Sequence, residues 1–80
     1  MVVQTPKFEK NFRKLKPEIQ RRISEQILIL EVQPHSGKSL HGQLKGLFSL
    51  RVAEYRVIYE IHGQRIILHT VGHRRSVYEI

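Results

Sequence analysis

The chain has no cysteine and no aspartate. Without cysteine there is no disulfide framework, no thiolate zinc site and no thiol nucleophile, a composition that suits a reducing compartment. Without aspartate, seven glutamates face fourteen Lys and Arg, and the formal net charge is +7. The excess favours a polyanionic partner. Long apolar runs are missing too: the longest, ILIL at 27–30, is far too short to cross a bilayer, and the residues after Met1 make no signal peptide. These features predict a cytoplasmic protein with no membrane partner. No glycine-rich phosphate loop, nucleophile elbow or His/Asp/Glu cluster at metal-ligand spacing is present, so the expectation is no cofactor and no metal.

What is present fits one small domain over 1–80, with chain enough for a single modest core. Residues 1–32 carry seven basic and four acidic groups and residues 33–80 carry seven and three, so no separate basic tail explains the charge. Thr5-Pro6 reads as a helix start, a capping hydroxyl followed by a residue with no N–H to leave unpaired. Phe8, Phe12 and Leu15 follow on one face. Lys16-Pro17 ends that helix and begins a second, with Ile19, Ile23, Ile27 and Leu30 at helical spacing. Residues 33–46 hold Pro34, Gly37, Gly42 and Gly46 and read as a loop pinned by Leu40 and Leu44.

From Leu47 the period changes to two. A two-residue turn at Ala53-Glu54 puts Phe48, Leu50, Val52, Tyr55, Val57, Tyr59 and Ile61 on one buried face and sets Arg51 opposite Arg56 on the other. Facing like charges destabilise a sheet, so another factor should favour that pair. A second turn at Gly63-Gln64 places Ile61 opposite Ile66 and Tyr59 opposite Leu68. Carried on without interruption, the register puts Val71 beside Arg56 and His69 opposite Ile58. Glu60 is expected in a surface ion pair with a Lys or Arg, and His69 as an ordinary polar residue. The predicted fold class is α+β, an N-terminal helical hairpin packed on a small antiparallel sheet, with room for a short N-terminal strand.

Arginine presents a planar fork of donors and keeps its charge, so Arg51, Arg56 and Arg74 suit a phosphate that gains negative charge in a transition state. In RNA the 2′-hydroxyl is a built-in nucleophile. Its cleavage needs a proton removed, the pentacoordinate phosphate stabilised and the leaving 5′-oxygen protonated. His73 and Tyr78 are the nearby groups for proton transfer, and Tyr78 alternatively stacks on a base or packs against the sheet.

The segments LKGLFSLRVAEYRVIYEI and HTVGHRRSVYEI, in this order behind two helices, resemble the RelE branch of the RelE/ParE toxin superfamily over nearly the whole chain. The resemblance implies a ribosome-dependent endoribonuclease of a toxin–antitoxin pair, cutting mRNA in the ribosomal A site without metal, held by ribosomal RNA and inactivated by a cognate antitoxin. It implies catalytic roles for Arg51, Arg56, Arg74 and Tyr78, with His73 beside them. RNA contacts are expected from Lys45, Ser49, Arg75, Lys10 and Lys14. Ser49 stands where one branch has a second lysine, Ala53 replaces the usual turn glycine, and the sequence stops at Ile80 without the further C-terminal helix of many relatives. Two other functions share the pattern: gyrase poisoning by ParE-like proteins without RNA hydrolysis, and antitoxin binding by an inactive relative.

Overall fold

The computed structural model describes residues 1–78. Seven elements follow in the order β1 (Val2–Gln4), α1 (Pro6–Arg13), α2 (Pro17–Val32), β2 (Lys38–Ser39), β3 (Leu47–Val52), β4 (Tyr55–His62) and β5 (Arg65–His73). The strands form one sheet of order β1-β5-β4-β3-β2. Both helices pack on one of its faces, giving the α+β architecture expected. The short N-terminal strand is present and pairs in parallel with β5, so the sheet is mixed, all other pairings being antiparallel.

Local chemistry accounts for the helices. The Thr5 hydroxyl accepts the Phe8 N–H at 3.2 Å, satisfying one of the free donors at the start of α1. Pro6 and Pro17 occupy the first turns, where a missing N–H leaves no bond unmade. The short link between the helices is tied by Gln20, whose side-chain amide donates to the Phe12 carbonyl at 2.9 Å. Phe8, Ile23 and Leu30 then bury against Leu50, Val52, Val57, Tyr59, Leu68 and Val71, which share one sheet face.

Residues 33–46 are more ordered than a pinned loop. They contain the edge strand β2, which pairs Lys38 with Ser49 and Ser39 with Phe48, and 3-10 turns at Pro34–Ser36 and Gly42–Leu44. A fully buried tyrosine anchors the segment. The Tyr59 hydroxyl donates to the Pro34 carbonyl at 2.8 Å and accepts the Gly37 N–H at 3.0 Å, while its ring stacks on Phe48 with centroids 5.3 Å apart. A Cβ on Gly37 would lie 2.5 Å from the Tyr59 hydroxyl, so only glycine allows this approach.

The β3–β4 register is as the alternation requires, with Val52 opposite Tyr55 and Arg51 opposite Arg56. The β4–β5 register begins as expected, Ile61 opposite Ile66 and Tyr59 opposite Leu68, then shifts by one residue between Ile58 and Tyr59. Beyond that bulge Ile58 faces Thr70, Val57 faces Val71 and Arg56 faces Gly72, which corrects the uninterrupted register. The physical reason lies in the first helix turn. The Thr5 hydroxyl, at 2.8 and 2.9 Å, is shared between the Leu68 and His69 carbonyls, and the Thr5 N–H also reaches Leu68 at 3.2 Å. Backbone acceptors at the irregularity thus keep partners.

Two stability predictions follow from these local geometries. Tyr59→Phe leaves the part-buried Pro34 carbonyl and Gly37 amide without their hydroxyl and is expected to cost about 1–3 kcal/mol in urea unfolding. Burial also raises the Tyr59 phenol above its ordinary value of 10.0. The unfolded chain therefore loses this proton first, so the Tyr59 contribution is complete below about pH 10 and is lost as pH rises through the higher folded value. The wild-type unfolding midpoint should fall more steeply above that pH than the Tyr59→Phe midpoint. Separately, Ala53 holds φ +54 in the tight turn, a conformation costly for a residue with a Cβ. Ala53→Gly is expected to stabilise by about 0.5–1 kcal/mol, read by the same titration.

Candidate functional site

Strand alternation puts the candidate residues Arg51 and Arg56 on the sheet face opposite the helices. Cross-strand partners lie about 4.5–5.5 Å apart at Cα, so the backbone sets Arg51 and Arg56 side by side, and Arg51 also lines an open cavity of about 270 Å³ with Arg22, Glu25 and Gln26 of α2. Arg51 is exposed and sits on the stretch of β3 beyond its pairing with β2. Arg56 is half-buried, and its Nη1 is buried with no hydrogen-bond partner among the described residues. A desolvated guanidinium nitrogen without an acceptor is unfavourable. An anion at that nitrogen removes the penalty and offsets the repulsion between the two arginines.

After β5 the chain turns back over this face. The Arg74 N–H donates to the Glu54 carbonyl at 2.9 Å and the Arg74 Nε pairs with the Glu54 carboxylate at 3.0 Å. This ties the C-terminal turn to the β3–β4 hairpin. Both groups are about half exposed, and an ion pair of this kind contributes little to stability; its effect is to place Arg74 beside the hairpin that carries Arg51 and Arg56. Val77, only 5% exposed, packs over Gly72. Tyr78 follows it, 40% exposed, with its hydroxyl 2.9 Å from the Ser49 hydroxyl. Arg51, Arg56, Ser49 and Tyr78 therefore belong to one surface.

Other candidate residues lie apart from this group. His73 faces Tyr55 across the strands, with the rings edge to face at 5.8 Å, and its Nδ1 accepts the Arg75 N–H at 3.2 Å. Arg75 is exposed on the C-terminal turn, and Lys45 is exposed just before β3. Lys10 and Lys14 are exposed on and just after α1, in the opposite layer. Lys14 lines an open groove of about 290 Å³ with Lys7, Asn11 and Ser76. Glu60 pairs with His69 at 2.7 Å rather than with a Lys or Arg. Sequence reasoning missed this pair, the Glu54–Arg74 tie and the Ser49–Tyr78 contact; their spacings of 9, 20 and 29 residues carry no local periodic signal. Glu79 and Ile80, which complete the terminal motif, lie outside the described residues. Among the described residues no group of three or more His, Cys, Asp or Glu is arranged to hold a metal ion. No described helix is long and apolar enough to cross a membrane.

A family model described as the ParE toxin of the type II toxin–antitoxin system parDE matches residues 2–78. The chain therefore belongs to the RelE/ParE superfamily of type II toxin–antitoxin toxins. Among solved structures it is similar to the toxin–antitoxin complex RelBE2 of Mycobacterium tuberculosis, at 31% identity and TM-score 0.86 over 92% of this chain and 96% of that one. It also shares its fold with the RelB–RelE antitoxin–toxin complex of Methanococcus jannaschii, at 24% identity and TM-score 0.79 over 96% and 95%. The same holds for the intact E. coli RelBE complex, at 16% identity and TM-score 0.80 over 91% and 94%. No curated protein sequence matches the chain.

The unpaired guanidinium nitrogen makes the site testable without a substrate. In buffer free of phosphate and sulfate, Arg56→Met should be neutral or raise the unfolding midpoint, because it removes a desolvated cation. Added sulfate should stabilise the wild type by about 1.4 kcal/mol at ten times its dissociation constant and leave the variant unchanged. A clear loss of stability in Arg56→Met without anion would count against the site.

Proposed function

We propose that this toxin cleaves RNA on the ribosome by attack of the 2′-hydroxyl on the adjacent phosphorus. The observation that carries the reading is the Arg56 Nη1 buried without an acceptor among the described residues, on the face that also holds Arg51 and the Tyr78 phenol. In this reading Arg51 and Arg56 bind the scissile phosphate and stabilise its growing negative charge, with Arg74 beside them. Tyr78 exchanges a proton with the reacting oxygens or stacks on a neighbouring base. The phosphorus gains the 2′-oxygen and releases the 5′-oxygen, so the proton leaving the nucleophile is matched by one arriving at the leaving group. The products are a 2′,3′-cyclic phosphate and a 5′-hydroxyl. His73, held against Tyr55, is the less direct candidate. Lys45, Arg75, Lys10 and Lys14 are assigned to RNA contact, the two on and just after α1 reaching ribosomal RNA rather than the scissile group; Ser49, only 5% exposed, is withdrawn from that set.

The net charge of +7 supports long-range attraction to ribosome and message. A cognate antitoxin is the second partner, since the similar solved structures include toxin–antitoxin complexes. We place the protein in the cytoplasm, where its proposed target resides. A second reading also has a specific observation behind it: the matching family model is that of ParE, and the gyrase-directed reading would dispense with RNA hydrolysis.

One assay separates the two. Purified protein added to ribosomes carrying a defined mRNA should give A-site cuts mapped by primer extension. Tyr78→Phe and Arg56→Ala should each reduce them by about 100-fold or more. Intact message with inhibited gyrase supercoiling would transfer the assignment to the second reading.

A further inference from the structure

Ser49 is only 5% exposed, and its hydroxyl meets the Tyr78 phenol at 2.9 Å across 29 residues of sequence. The other contacts of the C-terminal turn act on its backbone or on Val77. The Arg74 N–H donates to Glu54, the Ser76 and Val77 N–H groups both donate to the His73 carbonyl at 3.0 Å, and Val77 lies over Gly72. Together they determine where the Tyr78 backbone sits. They leave its two side-chain torsions free, and the ring is 40% exposed. The contact with Ser49 is the one hydrogen bond made by the Tyr78 side chain among the described residues.

We propose that Ser49 is a positioning residue, which aims the Tyr78 phenol across the arginine face and keeps it there through a change of protonation. The chemistry of the partner supports this role. A serine hydroxyl both donates and accepts, so it can accept from the neutral phenol and donate to the phenolate. An ammonium can only donate, and a carboxylate can only accept. The strand supplies rigidity: Ser49 is paired on both sides, with Lys38 of β2 and Ile58 of β4, so its Cβ cannot drift. Near burial prevents water from competing freely for the hydroxyl. The catalytic meaning of the contact rests on the reading of Tyr78 as a proton-transfer group; the geometric claim does not.

The test combines kinetics with a measurement on the free toxin. In single-turnover cleavage of ribosome-bound message, Ser49→Ala is expected to lower the maximal rate by about 10- to 100-fold while the half-saturating concentration stays within about twofold. Ser49→Thr, which keeps the hydroxyl on a strand-compatible side chain, should restore the rate to within about threefold. In a Tyr78→Phe background Ser49→Ala should cause no further loss, because its effect passes through the phenol. A full additional loss in that background, or a raised half-saturation with unchanged rate, would overturn the proposal in favour of direct RNA contact. In ribosome-free protein with ring-labelled tyrosine, NMR should show the Tyr78 ring ordered and close to residue 49 in wild type and Ser49→Thr, and mobile in Ser49→Ala. A ring that stays ordered in Ser49→Ala would sink the positioning claim. If the wild type does not cut message, the cleavage reading fails, while the ring measurement still decides whether Ser49 positions Tyr78.

Discussion

The tight pairing of β3 with β4 is the constraint on which the rest of the molecule depends. With side chains alternating across a strand, one register fixes two surfaces at once. Leu50, Val52, Val57 and Tyr59 fall on the helix side, where they bury against Phe8, Ile23 and Leu30. The same register leaves Arg51 beside Arg56 on the other side. A slip of one residue would send the arginines into the core and the apolar set into water. The cost of burying unpaired cations makes that alternative untenable. The stability of the core therefore holds together two like charges that would otherwise separate.

That forced proximity gives the site its chemical character. A guanidinium nitrogen buried without an acceptor among the described residues is unfavourable, a cost that an anion bound there would relieve. The C-terminal turn adds the second component. It is held by Glu54 at the hairpin end, by Val77 over Gly72 and by Ser49 on β3. Its anchors thus lie on β3, on β5 and in the turn between β3 and β4. Movement of the hairpin relative to β5 would alter the arginine pair and the position of Tyr78 together, which couples core packing to the geometry of the site.

Particular residues show how much was legible beforehand. The helix boundaries followed from Thr5-Pro6 and Lys16-Pro17 because capping and proline geometry are local effects. The hairpin turn followed from a period of two sustained on both sides of Ala53-Glu54. The edge strand β2 did not, because two residues carry no period, and its surroundings are held by the distant Tyr59 hydroxyl. The bulge in β5 was equally hidden. It depends on Thr5, more than sixty residues away in sequence, meeting the Leu68 and His69 carbonyls, and it moves Gly72 rather than Val71 opposite Arg56.

By itself the sequence determined which side chains of β3 and β4 share a face, where the helices begin and that the surface is strongly basic. These follow from periodicity, capping and composition, all readable over a few residues or by simple addition. The tertiary structure alone decided that the Arg56 Nη1 is buried without a partner among the described residues, that Arg74 is tied to Glu54, that His69 pairs with Glu60 and that the Tyr78 phenol rests on Ser49. Each of those contacts joins residues distant along the chain. Hydrogen-bond partners of that kind are chosen by where packed elements bring the backbone, for which short-range pattern holds no record.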